Sequence, residues 1–149
     1  MAERHHFASC LVDDLFFGIE IEKVQEVAVG AEITPVPLSS PLVRGLLNLR
    51  GHIVTAIDLR RCLQLSERPA DRQPVSLILR TDGAWVCLLV DGVGDVLEVN
   101  DDDFEFPPET LRGRSREFIR GAYKLDGSLL LALDTERVLN DPAVVGRAV

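Results

Sequence analysis

The chain has 149 residues, of which 46% are hydrophobic, 27% charged and 5% aromatic, and its formal net charge is −8. This length suits about one domain, and the composition excludes disordered, collagenous and coiled-coil proteins. The negative charge and the shortage of aromatic side chains argue against nucleic-acid binding, because phosphates would be repelled and bases would lack stacking partners. No apolar run approaches the ~20 residues of a membrane span, and no apolar segment follows the charged start as in a signal peptide. We therefore expect a cytoplasmic protein without direct membrane insertion.

Short segments rich in apolar and β-branched residues, separated by turn signals, predict strands throughout the chain. The first strands begin near Phe7 and include residues 15–21 and 24–27. Arg50-Gly51 and Asp126-Gly127 predict hairpin turns, and Asp-Gly is among the strongest short-range signals of this kind. Four to five strands are expected in each half of the chain.

Few helices are predicted, and all of them are short. Asp58 is placed to cap a helix over residues 59–65, and Asp134 one over residues 135–139. Ser40-Pro41 favours a further helical turn before Gly45. A polar connector that contains two prolines, residues 66–74, separates the two halves.

The chain contains an internal repeat. Residues 43–58 align without a gap with residues 119–134, and Arg-Gly, Leu, Gly, Ala and Asp recur in place. A second ungapped match pairs residues 15–27 with 84–96. The repeat predicts two subdomains, residues 7–65 and 75–139, with tails at 1–6 and 140–149 and with terminal strands free to exchange between the subdomains.

The repeat and the strand pattern together predict an all-β fold. A unit of about 70 residues is a marginal domain by itself, so the two units should pack on each other through a shared apolar seam. A small Greek-key or SH3-like barrel, closed to hide its edges, suits each unit. Three cysteines, Cys10, Cys62 and Cys87, lie far apart in apolar contexts and are interpreted as small buried hydrophobic residues rather than a disulfide framework.

Several motifs together resemble the CheW family of bacterial chemotaxis adaptors. The matching segments are Val24-Gln25-Glu26-Val27, Val43-Arg44-Gly45-Leu46-Leu47-Asn48-Leu49-Arg50-Gly51, Ile57-Asp58-Leu59-Arg60 and Val90-Asp91-Gly92-Val93-Gly94-Asp95-Val96. The similarity covers residues 7–139. It implies two packed SH3-like five-stranded β-barrels with a few short helices, and a scaffold that couples a chemoreceptor's cytoplasmic tip to the regulatory domain of a CheA-type histidine kinase. Family members can also assemble into rings.

The resemblance also implies which residues contact partners. It places Val24, Glu26, Val27, Arg50, Asp95 and Val96 at the receptor surface, and Val24, Gly45 and Asn48 at the kinase surface. Arg50 is the most informative of them, because its repeat partner Asp126 makes a better turn residue. We expect Glu26 to pair with Arg50 and to orient it.

Alternative interpretations stay open for these residues. The valines could equally belong to a barrel core, and Arg50 could be a solvated hairpin residue without a partner role. Backbone geometry alone explains the recurrence of Gly45 and Gly121. The acidic run 101–103 is interpreted as a solvated loop, because it lacks the spacing of an EF-hand calcium loop.

No catalytic motif is found, and neither an enzyme nor a metal or cofactor site is expected. His5, His6 and His52 lack a paired metal-ligand spacing, and phosphate-binding glycine loops and G-x-S-x-G motifs are missing from the sequence. Two alternatives to a chemotaxis adaptor remain. One is a scaffold of the same fold in another two-component pathway, such as twitching motility; the other is a double barrel that binds a small molecule.

Overall fold

The chain folds almost entirely into strands, and the computed structural model describes residues 3–37, 41–81, 84–107, 109 and 114–140. The strands are β1 (Arg4–Val12), β2 (Leu15–Glu20), β3 (Val24–Val29), β4 (Ile33–Thr34), β5 (Val43–Leu49), β6 (His52–Asp58), β7 (Val75–Thr81), β8 (Ala84–Val90), β9 (Gly92–Asn100), β10 (Phe104–Glu105), β11 (Ile119–Leu125) and β12 (Ser128–Leu133). The helices are α1 (Leu59–Cys62), α2 (Arg114–Glu117) and α3 (Thr135–Leu139). The predicted all-β fold with a few short helices is confirmed.

The strands form two six-stranded sheets with the same internal order. Sheet A runs β10-β11-β12-β2-β1-β9, and sheet B runs β4-β5-β6-β8-β7-β3. Each strand of sheet A has the same position as the strand of sheet B whose number differs from its own by six. Each sheet therefore combines a hairpin from one half of the chain with four strands from the other half, through the parallel pairs β12–β2 and β6–β8.

The repeated hairpins have the same register. Gly45 lies opposite Ala56 and Gly121 opposite Ala132, and each hairpin has a register shift immediately before its glycine. A side chain at either glycine would collide with the neighbouring two-residue strand: a Cβ at Gly45 would lie 2.2 Å from the Thr34 carbonyl oxygen. The backbone explanation for the recurring glycines is therefore confirmed.

The core has three parts. One cluster lies within sheet B and includes Leu47, Ile78 and Leu89, and another lies within sheet A and includes Phe7 and Leu130. The third and largest cluster joins the two sheets, with residues such as Phe17, Ile57, Leu77 and Phe118. An apolar layer therefore joins the two sheets, and it contains residues from both halves of the chain. The cysteines are buried and unpaired by disulfides, as expected.

Three details differ from the sequence-based expectations. Each sheet has six strands rather than five, because β4 and β10 are only two residues long and leave no alternating pattern to detect. Helix α1 ends at Cys62 instead of continuing to residue 65, since Gln64 adopts a left-handed backbone angle of φ +59°.

The third difference concerns the start of the chain. Strand β1 begins at Arg4, ahead of the predicted boundary at residue 7, because pairing with β9 satisfies the backbone hydrogen bonds of these polar residues.

Both helix caps are confirmed: the Asp58 and Asp134 carboxylates accept hydrogen bonds from the Arg60 and Arg137 amides. The turn predicted at Ser40 and the tail beyond Asn140 lie outside the described residues.

Candidate partner-binding site

Arg50 stands at the tip of the β5–β6 hairpin in an unusual backbone conformation. Both turn residues are left-handed, with φ +48° at Arg50 and +89° at Gly51, whereas in the equivalent β11–β12 turn only Gly127 has a positive φ. The Gly51 amide donates to the Asn48 side-chain oxygen over 3.0 Å, which closes the turn. Few residues other than glycine, asparagine and aspartate adopt this conformation readily. The surrounding hairpin therefore holds Arg50 in place and directs its side chain outward.

The expected contact between Glu26 and Arg50 is present. The Arg50 guanidinium donates to the Glu26 carboxylate and joins the hairpin tip to edge strand β3. The Arg50 side chain remains 67% exposed and that of Glu26 is 26% exposed. An ion pair this open contributes about 0–1 kcal/mol to stability. Its main effect is to restrict the directions in which the guanidinium can point.

The predicted valines on β3 have different environments. Val24 is half-buried and packs against the core that joins the sheets. Val27 is 46% exposed, and Val29, two residues along on the same face, is 74% exposed. Val27 is therefore a surface residue. Of these two valines, only Val24 is partly in the core.

Asp95 and Val96 lie on β9, which occupies the same edge in sheet A that β3 occupies in sheet B. Both are exposed, Val96 by 53%. The Ser9 hydroxyl donates to the Asp95 carbonyl oxygen over 2.6 Å and fixes the strand at the register shift opposite β1. The six residues assigned to a receptor surface thus divide between two sheets: four of them belong to sheet B and its hairpin tip, and two to sheet A.

The residues assigned to kinase binding are not equally accessible. Asn48 is exposed beside the hairpin turn, whereas Gly45 is buried beneath β4. Gly45 can influence a partner only by controlling how β4 packs on β5. Its direct role in binding stays a prediction.

A buried ion cluster connects the two sheets, and sequence patterns gave no direct sign of it. Arg60 on α1 forms two hydrogen bonds with Asp91, which lies between β8 and β9, and its Nη1 donates to the Ser66 carbonyl oxygen. Arg68 donates to the same carboxylate over 2.8 Å. The repeat contained one indication of it. The repeat equivalent of Arg60, 76 residues further along the chain, is Glu136, so the charge at this position is opposite in the two halves.

The opposite pairing occurs at the equivalent corner. Lys23, which follows β2, contacts Glu136 on α3 at 2.8 Å. In both places a side chain on a short helix forms an ion pair with a residue that follows a central strand. The helix carries the positive charge at Arg60 and the negative charge at Glu136. The Lys23 pair is more open to solvent and contributes less to stability.

Two of the buried thiols are poor nucleophiles. Burial raises the pKa of the Cys10 thiol to about 12 and that of Cys87 to about 11, so both stay protonated. A groove of about 380 Å³ beside sheet B is lined by apolar residues such as Ile33 and Val43, and its polar groups include Arg44 and Arg61. These guanidiniums, which cannot act as bases, both contact the Glu67 carboxylate.

One further group was missed in the sequence. Within the described ranges, the metal-ligating side chains that converge are Glu3, His5 and Asp101, whose ligand atoms all lie within 4.8 Å of one another. Asp102 and Asp103 are exposed, as expected for a solvated loop. None of the helices described here has the length and hydrophobicity to cross a membrane.

Comparisons with known proteins agree with the resemblance noted in the sequence. A family model described as the CheW-like domain matches residues 6–143. "Chemotaxis protein CheW" from Klebsiella aerogenes is 32% identical over 83% of this chain and 75% of its own, and its namesake from Treponema pallidum is 25% identical over 93% and 84%.

Among solved structures, the fold is similar to that of the scaffolding protein TtCheW from Thermoanaerobacter tengcongensis. The TM-score is 0.78 at 24% identity, and the match covers 88% of this chain and 89% of that one. The repeat, the two equivalent sheets and the family match over most of the residues lead to one conclusion. The chain belongs to the CheW-like domain family.

Proposed function

We propose that this chain is a non-catalytic, cytoplasmic adaptor in chemotaxis. It couples the cytoplasmic tip of a methyl-accepting chemoreceptor to the regulatory domain of a CheA-type histidine kinase. Membership of the CheW-like domain family supports this role, because several relatives are named as chemotaxis proteins. The observation that carries the proposal is Arg50: an exposed guanidinium, held in a left-handed turn and oriented by Glu26, that the needs of the fold do not explain.

The receptor contacts Val24, Glu26, Val27 and Arg50 on sheet B, and Asp95 and Val96 on sheet A. Exposed valines at two sheet edges offer apolar area for a helix of the receptor tip. Arg50 provides a directed charge at the hairpin tip, where it contacts Glu26, and charged groups of this kind set orientation and partner choice. An interface of about 1,600 Å² or less would keep the association reversible.

The kinase regulatory domain contacts the surface around Val24 and Asn48. Gly45 contributes indirectly, because it allows β4 to lie against β5. Coupling then follows from linkage: a change in one partner reaches the other only as far as its contacts with the adaptor differ between the two states. Self-assembly of this chain into rings is part of the same proposal.

The test measures binding of the purified protein to a receptor tip peptide and to a kinase regulatory domain, separately and together. Arg50→Glu is expected to weaken receptor binding by more than about tenfold, since it reverses a charge at the interface. Its Tm should stay close to that of the wild type, because the lost pair is exposed.

Arg120→Glu is the matched control. Arg120 forms a similar open ion pair with Glu20, at 2.6 Å, on sheet A. The proposal fails if both variants bind the receptor peptide equally well, or if Arg50→Glu unfolds the protein. Binding to a kinase domain without any binding to receptor peptides would favour a scaffold of another two-component pathway.

A further inference from the structure

The beginning of β1 and the end of β9 bring together three potential metal ligands that are far apart in sequence. Arg4 pairs with Asn100 and His5 with Val99, and the Asp101 amide donates to the Glu3 carbonyl oxygen over 3.1 Å. This antiparallel pairing places the Glu3, His5 and Asp101 side chains at one end of sheet A. The site lies on the same sheet as Asp95 and Val96, but none of its three side chains is among the residues proposed to contact a partner, so it does not depend on the proposed adaptor function.

The geometry of these residues is partly set in advance. The His5 Nε2 lies 2.7 Å from one carboxylate oxygen of Asp101, and the other oxygen accepts a hydrogen bond of 3.2 Å from the Glu3 amide. The imidazole ring packs beside Phe7 and Tyr123, with ring centroids 6.5 and 6.2 Å away. The backbone and the aromatic neighbours therefore restrict two of the three ligands before any ion binds.

We propose that Glu3, His5 and Asp101 form a binding site for one divalent first-row transition-metal ion of the Zn²⁺ type. One imidazole nitrogen and two carboxylates form a donor set that such ions accept, with water completing the coordination. Ligand atoms around tetrahedral Zn²⁺ are roughly 3.3 Å apart. The ligand atoms now lie within 4.8 Å of one another, and the 2.7 Å contact between His5 Nε2 and Asp101 opens when the ion enters. These changes require only small rotations of two exposed side chains and one half-buried one. His5 then binds through Nε2 and carries its proton on Nδ1.

Binding at this place would fix the first residues of β1 to the turn after β9. Because the ion would bind the folded chain and not the unfolded one, it raises the Tm of the protein. Hard cations such as Mg²⁺ are expected to bind more weakly, since they prefer oxygen ligands alone and retain their water. The imidazole therefore determines the selectivity of the site.

The experiment titrates the full chain with ZnCl₂ by calorimetry and follows the Tm. We expect one ion per chain, and a loss of affinity of more than about tenfold in His5→Ala and in Asp101→Asn. The Tyr123 ring lies 6.2 Å from the His5 ring, whereas Trp85 lies on β8 in sheet B. Addition of Co²⁺ should therefore shift the ring signals of Tyr123, the single tyrosine of the chain, in NMR spectra before those of Trp85.

Two neighbours provide matched controls. His6 points to the other face of β1 and contacts Glu98 at 3.3 Å, and Asp102 follows Asp101 in the same turn. His6→Ala and Asp102→Asn should bind Zn²⁺ like the wild type. The proposal is overturned if Zn²⁺ does not bind, if either control loses as much affinity as the ligand variants, or if Mg²⁺ binds as tightly as Zn²⁺. Circular dichroism of each variant establishes that it is folded.

Discussion

Arg60 and Asp91 form a bidentate ion pair where the chain crosses from one sheet to the other. Arg60 Nε and Nη2 donate to the two Asp91 carboxylate oxygens over 3.0 and 2.6 Å, and the Arg60 side chain is only 5% exposed. The Asp13 amide, in the β1–β2 turn of sheet A, donates to the same carboxylate over 2.6 Å. Asp91 therefore connects α1, which follows a strand of sheet B, to a turn of sheet A.

Replacing Asp91 by asparagine should destabilise the protein severely. The change removes the carboxylate that the guanidiniums of Arg60 and Arg68 contact most closely, and leaves them only longer contacts, to Asp13 at 3.9 Å and to Asp58 at 3.5 Å. Breaking a buried pair from one side costs about 3–5 kcal/mol. Chemical denaturation measures this loss. Asp102→Asn serves as the control, because its side chain is exposed and the expected change lies within about 0.5 kcal/mol. Equal stability of the two variants would show that the ion cluster does not stabilise the connection between the two sheets.

The same cluster should make stability depend on pH in the acid range. Burial acts to raise the pKa of Asp91, but hydrogen bonds from Arg60, the Asp13 amide and Arg68 outweigh it, and the pKa falls well below its usual range. A carboxyl with a lowered pKa in the folded state stabilises it fully above the unfolded value of about 4 and loses this contribution as the pH falls further.

The difference in unfolding free energy between the wild type and Asp91→Asn isolates this contribution. We expect the difference to be constant near neutral pH and to shrink from about pH 5 downward. A difference that stays unchanged to pH 3 would mean that Asp91 has an ordinary pKa in the folded protein.

Gly45→Ala should destabilise the protein by about 2–4 kcal/mol. Its φ of +152° is unfavourable for any side chain, and the new methyl group would press on the backbone of Thr34. Gly92 is the matched control, because a Cβ there meets nothing within 4 Å and its φ is not positive. Urea denaturation of the two variants should therefore separate them, and equal stabilities would contradict the close approach of β4 to β5.

The three thiols should be unreactive in the folded protein. Cys10, Cys62 and Cys87 are buried, and the raised pKa values of Cys10 and Cys87 leave almost no thiolate at neutral pH. A thiol reagent such as DTNB is expected to titrate none of them before unfolding and all three in denaturant. Rapid modification of a thiol in the native protein would point to local opening of the core.

Local sequence signals predicted the elements that depend on neighbouring residues. The hairpin turns at Arg50-Gly51 and Asp126-Gly127 and the caps at Asp58 and Asp134 are all present. The contact between Glu26 and Arg50 was also anticipated, although only through the family resemblance. Val27 was harder to place, because an apolar residue in a strand suits a core and an exposed edge equally well.

The internal repeat and the spacing of turns and apolar residues were enough to establish an all-β chain of two similar halves. They could not establish which hairpin joins which sheet, because strand exchange preserves every local pattern and changes only the partners. The Arg60–Asp91 pair and the meeting of His5 with Asp101 belong to the same class of information. Such contacts join residues dozens of positions apart, and only the packing of the folded chain decides them.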